Sequence, residues 1–172
     1  GAAFDNNVPY SLCWDEALSR LWCGTAWPVG ATTTRAKVYW FQPGVSVAWT
    51  LDKTFAVGES IVFDLVILEG NLFAALNWTS VAAGTATLYV RGWGDGVWSV
   101  YDSAPMAGSA TGLSRGFNAL AVWPAESVAA PVAPPTLFAV RSKAVGESGD
   151  ALKIRRRTDL GGGGWSWATV QS

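Results

Sequence analysis

The sequence predicts an all-β protein: an antiparallel β-sandwich, jelly-roll-like, with a small N-terminal β-hairpin. Three observations carry that expectation. Val, Ile, Thr, Tyr, Phe and Trp recur in short runs bounded by Gly, Pro, Asn and Asp, the pattern of strands and turns. No segment sustains the 3.6-residue apolar period of an amphipathic helix. The 172 residues are 50% apolar and only 15% charged, enough for one well-filled core and too apolar for a disordered chain.

The first strands are expected at Ser11–Asp15 and Arg20–Gly24. A three-residue loop at Ala17–Ser19 would set Cys13 opposite Cys23, Trp14 opposite Trp22 and Glu16 opposite Arg20. That register offers a disulfide, an aromatic pair and an ion pair together; two reduced, half-buried thiols are the alternative. Strands follow at Lys37–Phe41, Val45–Leu51, Ser60–Leu68 and Asn71–Trp78. Ile61–Leu68 is apolar on both faces apart from Asp64. It therefore reads as a central strand covered on both sides, turning at Glu69-Gly70-Asn71.

The next pair, Thr85–Trp93 and Val97–Asp102, flanks Asp95-Gly96. Asp-Gly between β-like runs is the signature of a two-residue type I′ hairpin turn. Such a turn pairs Trp93 with Trp98 and Arg91 with Val100. It also gives Tyr89, Arg91, Trp93, Trp98, Val100 and Asp102 one shared face.

Ser103–Gly116, rich in Ala, Ser and Gly, reads as a long loop. Phe117–Trp123 and Thr136–Ser142 are strands, and the four prolines of Pro124–Pro135 make the segment between them extended and polyproline-like. Ala151–Arg157 and Trp165–Val170 complete the set, with Gly161–Gly164 as the turn between them. Too few residues follow the proline-rich stretch for a second core, so the last strands are expected to return to the sheet. Residues 1–30 are read as a hairpin or attachment segment and residues 31–172 as the sandwich.

Composition excludes several chemistries. There is no His, so every dyad or triad with an imidazole base and every His-ligated zinc site is ruled out. Two Cys cannot complete a structural zinc site alone, and no metal or cofactor is expected. Net charge is −1, without the basic excess of a nucleic-acid binder. No apolar run reaches the ~18 residues of a membrane helix, so membrane insertion is not expected. No secretory signal is visible; the start Gly1-Ala2-Ala3, without Met, reads as processed or truncated.

Charge is unevenly spread. Residues 1–136 carry six basic and ten acidic groups, and residues 137–172 six basic and three acidic. Lys153, Arg155 and Arg157 would share one strand face. That is either a charged edge that discourages sheet pairing or a strip for phosphate, sulfate or uronate groups. Among the carboxylates, Asp64 alone lies mid-strand in an apolar run, where pairing with a nearby Arg or Lys or facing solvent is the ordinary role and catalysis the rarer one. Asn77-Trp78-Thr79 is a glycosylation sequon that matters only in a eukaryotic secreted chain.

Tryptophan is the anomaly, at eleven residues. Core filling, subunit contacts and sugar-stacking platforms compete to explain it. Trp93 and Trp98 flank an exposed turn, so they are the best candidates for ligand contact, with Arg91, Tyr89 and Asp102 beside them. Trp165 and Trp167 form a second same-face pair. Sparse charge on a small apolar domain further suggests that part of the surface is buried against identical copies.

The segment Leu18-Ser19-Arg20-Leu21-Trp22-Cys23-Gly24-Thr25-Ala26-Trp27-Pro28-Val29 resembles short hairpins of bacteriophage tail-fibre and tail-tip proteins. In these, a strand of Leu with Tyr or Trp runs into Gly-Thr-Ala-Trp. Cys23 departs from the pattern, which has an acidic or polar residue there. The resemblance covers about an eighth of the chain and transfers no site residues. It implies an extracellular virion protein, trimeric in the assembled fibre, whose distal β-sandwich binds host-surface glycan without catalysis. A carbohydrate-binding module of a secreted hydrolase, a capsid or decoration protein with no ligand, and a carboxylate-based polysaccharide hydrolase or lyase are the alternatives.

Overall fold

A computed structural model describes residues 7–27, 35–78, 84–106, 115–123, 136–142, 145, 152–159 and 165–171. They form twelve strands and no helix: β1 (Val8–Asp15), β2 (Arg20–Ala26), β3 (Lys37–Phe41), β4 (Thr50–Thr54), β5 (Glu59–Leu68), β6 (Asn71–Trp78), β7 (Gly84–Arg91), β8 (Trp98–Met106), β9 (Arg115–Trp123), β10 (Thr136–Ser142), β11 (Leu152–Asp159) and β12 (Trp165–Gln171). All pairings are antiparallel. The protein is all-β and sandwich-like, as expected.

Most strands pair with their neighbours in sequence. The exceptions are β2 with β5, through Ala26 and Ile61, and β6 with β9, through Asn77 and Trp78. Successive strands are thus joined mainly as hairpins, whereas those of a jelly roll mostly alternate between two sheets. One edge of β6 is shared, with Leu72–Ala75 held by β7 and Asn77–Trp78 by β9. At that fork the β9–β12 strands leave the plane of β5–β8.

Alternation along β6 shows where the cores sit. Phe73 and Ala75 belong to a cluster with Leu68, Leu88, Phe117 and Leu137, between β5–β7 and β9–β10. Leu72, Ala74 and Leu76 point the other way, into a cluster with Trp22, Val38, Phe55 and Leu65 from the β1–β5 side. With a side-chain period of two, a strand apolar at every position must be covered on both faces. β5 does the same with a correction in step. The register shift between Val62 and Asp64 inserts one residue, so Val62, Leu65 and Ile67 share one cluster while Val66 and Leu68 join the other. Each fully buried Leu or Phe contributes about 1.5–3 kcal/mol.

Two expected elements differ. The fourth strand begins at Thr50, not Val45. Pro43-Gly44 initiates a turn in which Val45 and Ser46 both donate to the Gln42 carbonyl, Gly44 takes φ +76°, and the Ser46 hydroxyl accepts from Gln42 N. The chain returns to β3 only at Thr50, which pairs with Trp40. The loop expected from Ser103 instead starts as strand, since β8 runs to Met106 and pairs Ser103 with Thr87 and Pro105 with Thr85. Among the described residues β7 is the one strand that β8 pairs with, and on the other side Pro105 needs only its carbonyl, which accepts from Val145 N. The segments 107–114, 124–135 and 161–164, including the expected polyproline stretch and Gly run, lie outside the described residues.

Candidate functional site

The first hairpin departs from its expected register by one residue. Asp15 pairs with Arg20, Trp14 with Leu21, Cys13 with Trp22 and Leu12 with Cys23. The loop is the four residues Glu16–Ser19. Asp15 sets this length: its Oδ1 accepts from Leu18 N at 3.0 Å, and Ser19 N donates to the Glu16 carbonyl at 3.2 Å. Ser19 closes the turn with φ +50°. A one-residue slip inverts every side chain of one strand relative to the other. Trp22 therefore enters the core at 1% exposure while Trp14 stays 51% exposed.

The same slip separates the cysteines, which sit at non-facing positions and are both free thiols. No disulfide joins them. Burial, and for Cys13 also the Asp15 and Asp64 carboxylates, pushes each thiol from 9.0 up to about 11.

The β7–β8 hairpin is also wider than its Asp-Gly pair predicts. Arg91 pairs with Trp98 and Tyr89 with Val100, leaving a six-residue loop, 92–97. Of Asp95 and Gly96 only Gly96 takes a positive φ, so the type I′ turn is not formed. Instead Gly96 N donates to the Gly92 carbonyl, Gly92 N to the Val97 carbonyl and Val97 N to Asp95 Oδ1. Gly96, at φ +66°, and Gly92, against which the Asp95 carboxylate packs, permit this wide loop. The expected facing pair of Trp93 and Trp98 is thereby broken.

Tyr89, Arg91 and Trp98 come together, but on the inner side. The Arg91 guanidinium holds Asp52 through Nε at 3.0 Å and Nη2 at 3.3 Å. The Trp98 indole N–H donates to the same carboxylate at 2.6 Å. Arg91 also lies over the Trp22 ring, 5.1 Å from its centroid, and Trp22 Nε1 donates to Asp15 Oδ2 at 3.2 Å. Phe55 contacts the rings of Tyr89 and Trp98 at 4.9 and 5.6 Å. The Tyr89 hydroxyl meets Glu59 at 3.2 Å; burial first, then that carboxylate, pushes its pKa up to about 12. These groups tie six strands together, β1, β2, β4, β5, β7 and β8, and are engaged with one another. Asp102, at a half-buried position of β8, accepts from Ser103 N and does not join them.

Trp93 goes elsewhere. It sits at the tip of the β5–β6 hairpin, where Glu69 and Gly70 both take positive φ, +51° and +74°, to close a two-residue turn. A Cβ on Gly70 would stand 3.2 Å from the Trp93 ring, so the indole lies directly on the glycine. Trp93 N donates to Asn71 Oδ1 at 3.2 Å, and Asn71 Nδ2 to the Glu69 carbonyl at 3.1 Å. Held from beneath, the ring remains 45% exposed.

Trp93 and Trp14 line one open cleft of about 720 Å³. Its floor is Leu65, Val66, Ile67 and Gly70, with Val122 of β9 at one side and Asp15–Ala17 at another. The volume is in the range of small-molecule sites, and the lining mixes apolar side chains with the carboxylates Asp15 and Glu16. Trp14 was missed as a partner because the three-residue loop faced it with Trp22. The signal was Asp15, whose side chain favours capping the turn that follows it. A second concavity of about 570 Å³, beside Glu69, Phe73, Asp95 and Tyr101, lies across the β7–β8 hairpin.

Asp64 has no cation partner among the described residues. It accepts Leu65 N at 2.9 Å and Leu120 N at 2.8 Å, fastening β9 to β5. Asn77 of the sequon is buried and donates to Asn118. Trp165, Trp167, Lys153, Arg155 and Arg157 fall on β12 and β11, and their side chains lie outside what is described. Among the described residues no group of three His, Cys, Asp or Glu could hold a metal ion, and no helix is long and apolar enough to cross a membrane.

Compared with known proteins, the chain matches no family model, no curated protein and no solved structure.

Proposed function

We propose that this chain is a non-catalytic saccharide-binding module of tail-fibre type, working as an oligomer in an extracellular virion assembly, with the Trp14–Trp93 cleft as its ligand site. The observation that carries the binding half is the pair of half-exposed indoles lining one cleft. An indole left in water is unfavourable for a monomer unless something covers it. The apolar C–H face of a sugar ring suits that surface, since it stacks on an aromatic face while its hydroxyls remain hydrated. The virion half is supported by the likeness of residues 18–29 to tail-fibre hairpins and by the low charge of the chain. The rest of the expected ligand set, Tyr89, Arg91, Trp98 and Asp102, is not part of this reading, because three of them are engaged around Asp52 and Glu59.

A glycan array followed by titration of the strongest hits tests the binding half. Saccharide binding lost in both Trp14→Ala and Trp93→Ala is the expected result; no binding to any glycan is the contrary one. Light scattering on a size-exclusion column tests assembly, with a multiple of 18.2 kDa expected and a monomer at micromolar concentration against it. A capsid or decoration protein without ligand is the second reading, favoured by how fully the β7–β8 aromatic residues are used in internal contacts.

A further inference from the structure

The charges around the cleft bear on which saccharide it takes. Among the described residues its lining holds two carboxylates, Asp15 and Glu16, and no Lys or Arg. Asp15 is buried, and its two oxygens are occupied by Leu18 N and Trp22 Nε1. Its charge acts on the cleft, but its hydrogen-bonding capacity is committed to the turn. Glu16 is exposed, with its side chain available at the rim. The guanidinium groups of the adjoining strands are directed elsewhere, Arg20 over the Trp40 ring at 4.1 Å and Arg91 onto Asp52. An anionic ligand in this cleft would meet negative charge and no donor of opposite sign. A cationic amine would meet Glu16.

Resting on the saccharide reading of this cleft, we propose that it selects by charge, accepting neutral and amino sugars and rejecting uronates and other acidic sugars, with Glu16 as the discriminating residue. This differs from the basic-strip alternative in the sequence, which pointed to phosphate, sulfate or uronate. Those cations belong to β11, which is separated from the cleft strand β9 by β10. One exposed ion pair is a modest effect, so the preference for an amine is about two- to five-fold, and it weakens as salt screens it.

Three oligosaccharides of equal length make the test: oligomers of N-acetylglucosamine, of glucosamine and of galacturonic acid. They are titrated against the full chain at mildly acidic pH, where the amines are charged, with tryptophan fluorescence as the readout and Trp93→Ala as the site control. The glucosamine oligomer is expected to bind about two- to five-fold more tightly than the acetylated one, and the galacturonate oligomer most weakly. In Glu16→Gln, or in high salt, the first two should converge. Glu16 lies in an exposed turn whose contact to Ser19 is made by backbone, so the variant keeps the fold. Trp93-dependent binding of galacturonate equal to or tighter than the neutral oligomer would overturn charge selection and leave the saccharide reading intact. An amine preference unchanged in Glu16→Gln would overturn the role of that residue. No response to any of the three overturns the selectivity, and the saccharide reading falls with it where the glycan array is silent too.

Discussion

Arg91 and Asp52 face each other through two hydrogen bonds, at 3.0 and 3.3 Å, with both side chains largely buried. The pair joins β4 to β7, and Asp52 also accepts the Trp98 indole of β8. Removing one partner of such a pair leaves an uncompensated charge, whereas replacing both with apolar groups removes the need for a partner. Asp52→Ala is therefore expected to destabilise the fold by about 2–3 kcal/mol. The double variant Asp52→Leu with Arg91→Met should cost clearly less than Asp52→Ala. Urea unfolding measures both; a double variant as unstable as the single one would show that the pair holds the fold by its charge.

Asp15 does two jobs in the first hairpin, capping the turn at Leu18 N and holding the Trp22 indole. Asp15→Ala should cost about 1–2 kcal/mol, visible as a lowered urea midpoint. It should also release the register that keeps Trp14 outward, seen as a change in Trp emission before unfolding. An unchanged midpoint would mean that the turn is set by something other than this side chain.

How much of this was legible in the residues depends on distance along the chain. The strand runs announced themselves: all of the expected strands have a counterpart, and β5 is covered on both faces as its apolar run requires. The hairpin registers did not. Asp-Gly at 95–96 and the Ala17–Ser19 loop were each read from the tip residues alone. The loops carry side-chain caps from Asp15 and Asp95 and, in the second, a left-handed glycine at 96. The one-residue change in the first hairpin turned Trp22 away from Trp14 and into the core, and the two-residue change in the second set Trp98 opposite Arg91 in place of Trp93. Trp93 stayed exposed, but its partner became Trp14, which lies 79 residues earlier in the chain. Nothing local encodes that meeting; it needs the β5–β6 tip, through Gly70, to bring the two together.

Gly24 and Gly44 should separate space from backbone conformation. A Cβ at Gly24 would lie 2.4 Å from both Ser11 Oγ and Val62 Cγ1, at the crossing of β1, β2 and β5. Overpacking there is expected to cost about 1–3 kcal/mol or more. Gly44 has φ +76° and open space around it, so Gly44→Ala should cost only the conformational penalty of about 1 kcal/mol. Thermal melts of the two alanine variants give the ranking, and a Gly24→Ala protein as stable as the parent would contradict the close crossing.

Alkaline pH should weaken the fold. Cys13 and Cys23 are raised from 9.0 to about 11 and Tyr89 from 10.0 to about 12. Each group holds its proton more tightly folded than unfolded, so its contribution is fully present below the unfolded pKa. It is lost as pH climbs toward the folded value. Urea midpoints should be level through neutral pH and fall from about pH 9 upward. In the same window Cys23 should resist alkylation until the chain unfolds. Cys13→Ser combined with Tyr89→Phe should flatten the decline, and an equally steep decline in that variant would assign it elsewhere.

The central claim is that Trp93 and Trp14, and not Trp98, present the binding surface. Titrating one saccharide ligand against the parent chain, Trp14→Ala, Trp93→Ala and Trp98→Phe tests it most directly. The account predicts that binding disappears in the first two variants. It persists in Trp98→Phe, which loses only a buried hydrogen bond to Asp52. Binding retained at parental strength in Trp93→Ala, or lost only in Trp98→Phe, would contradict it.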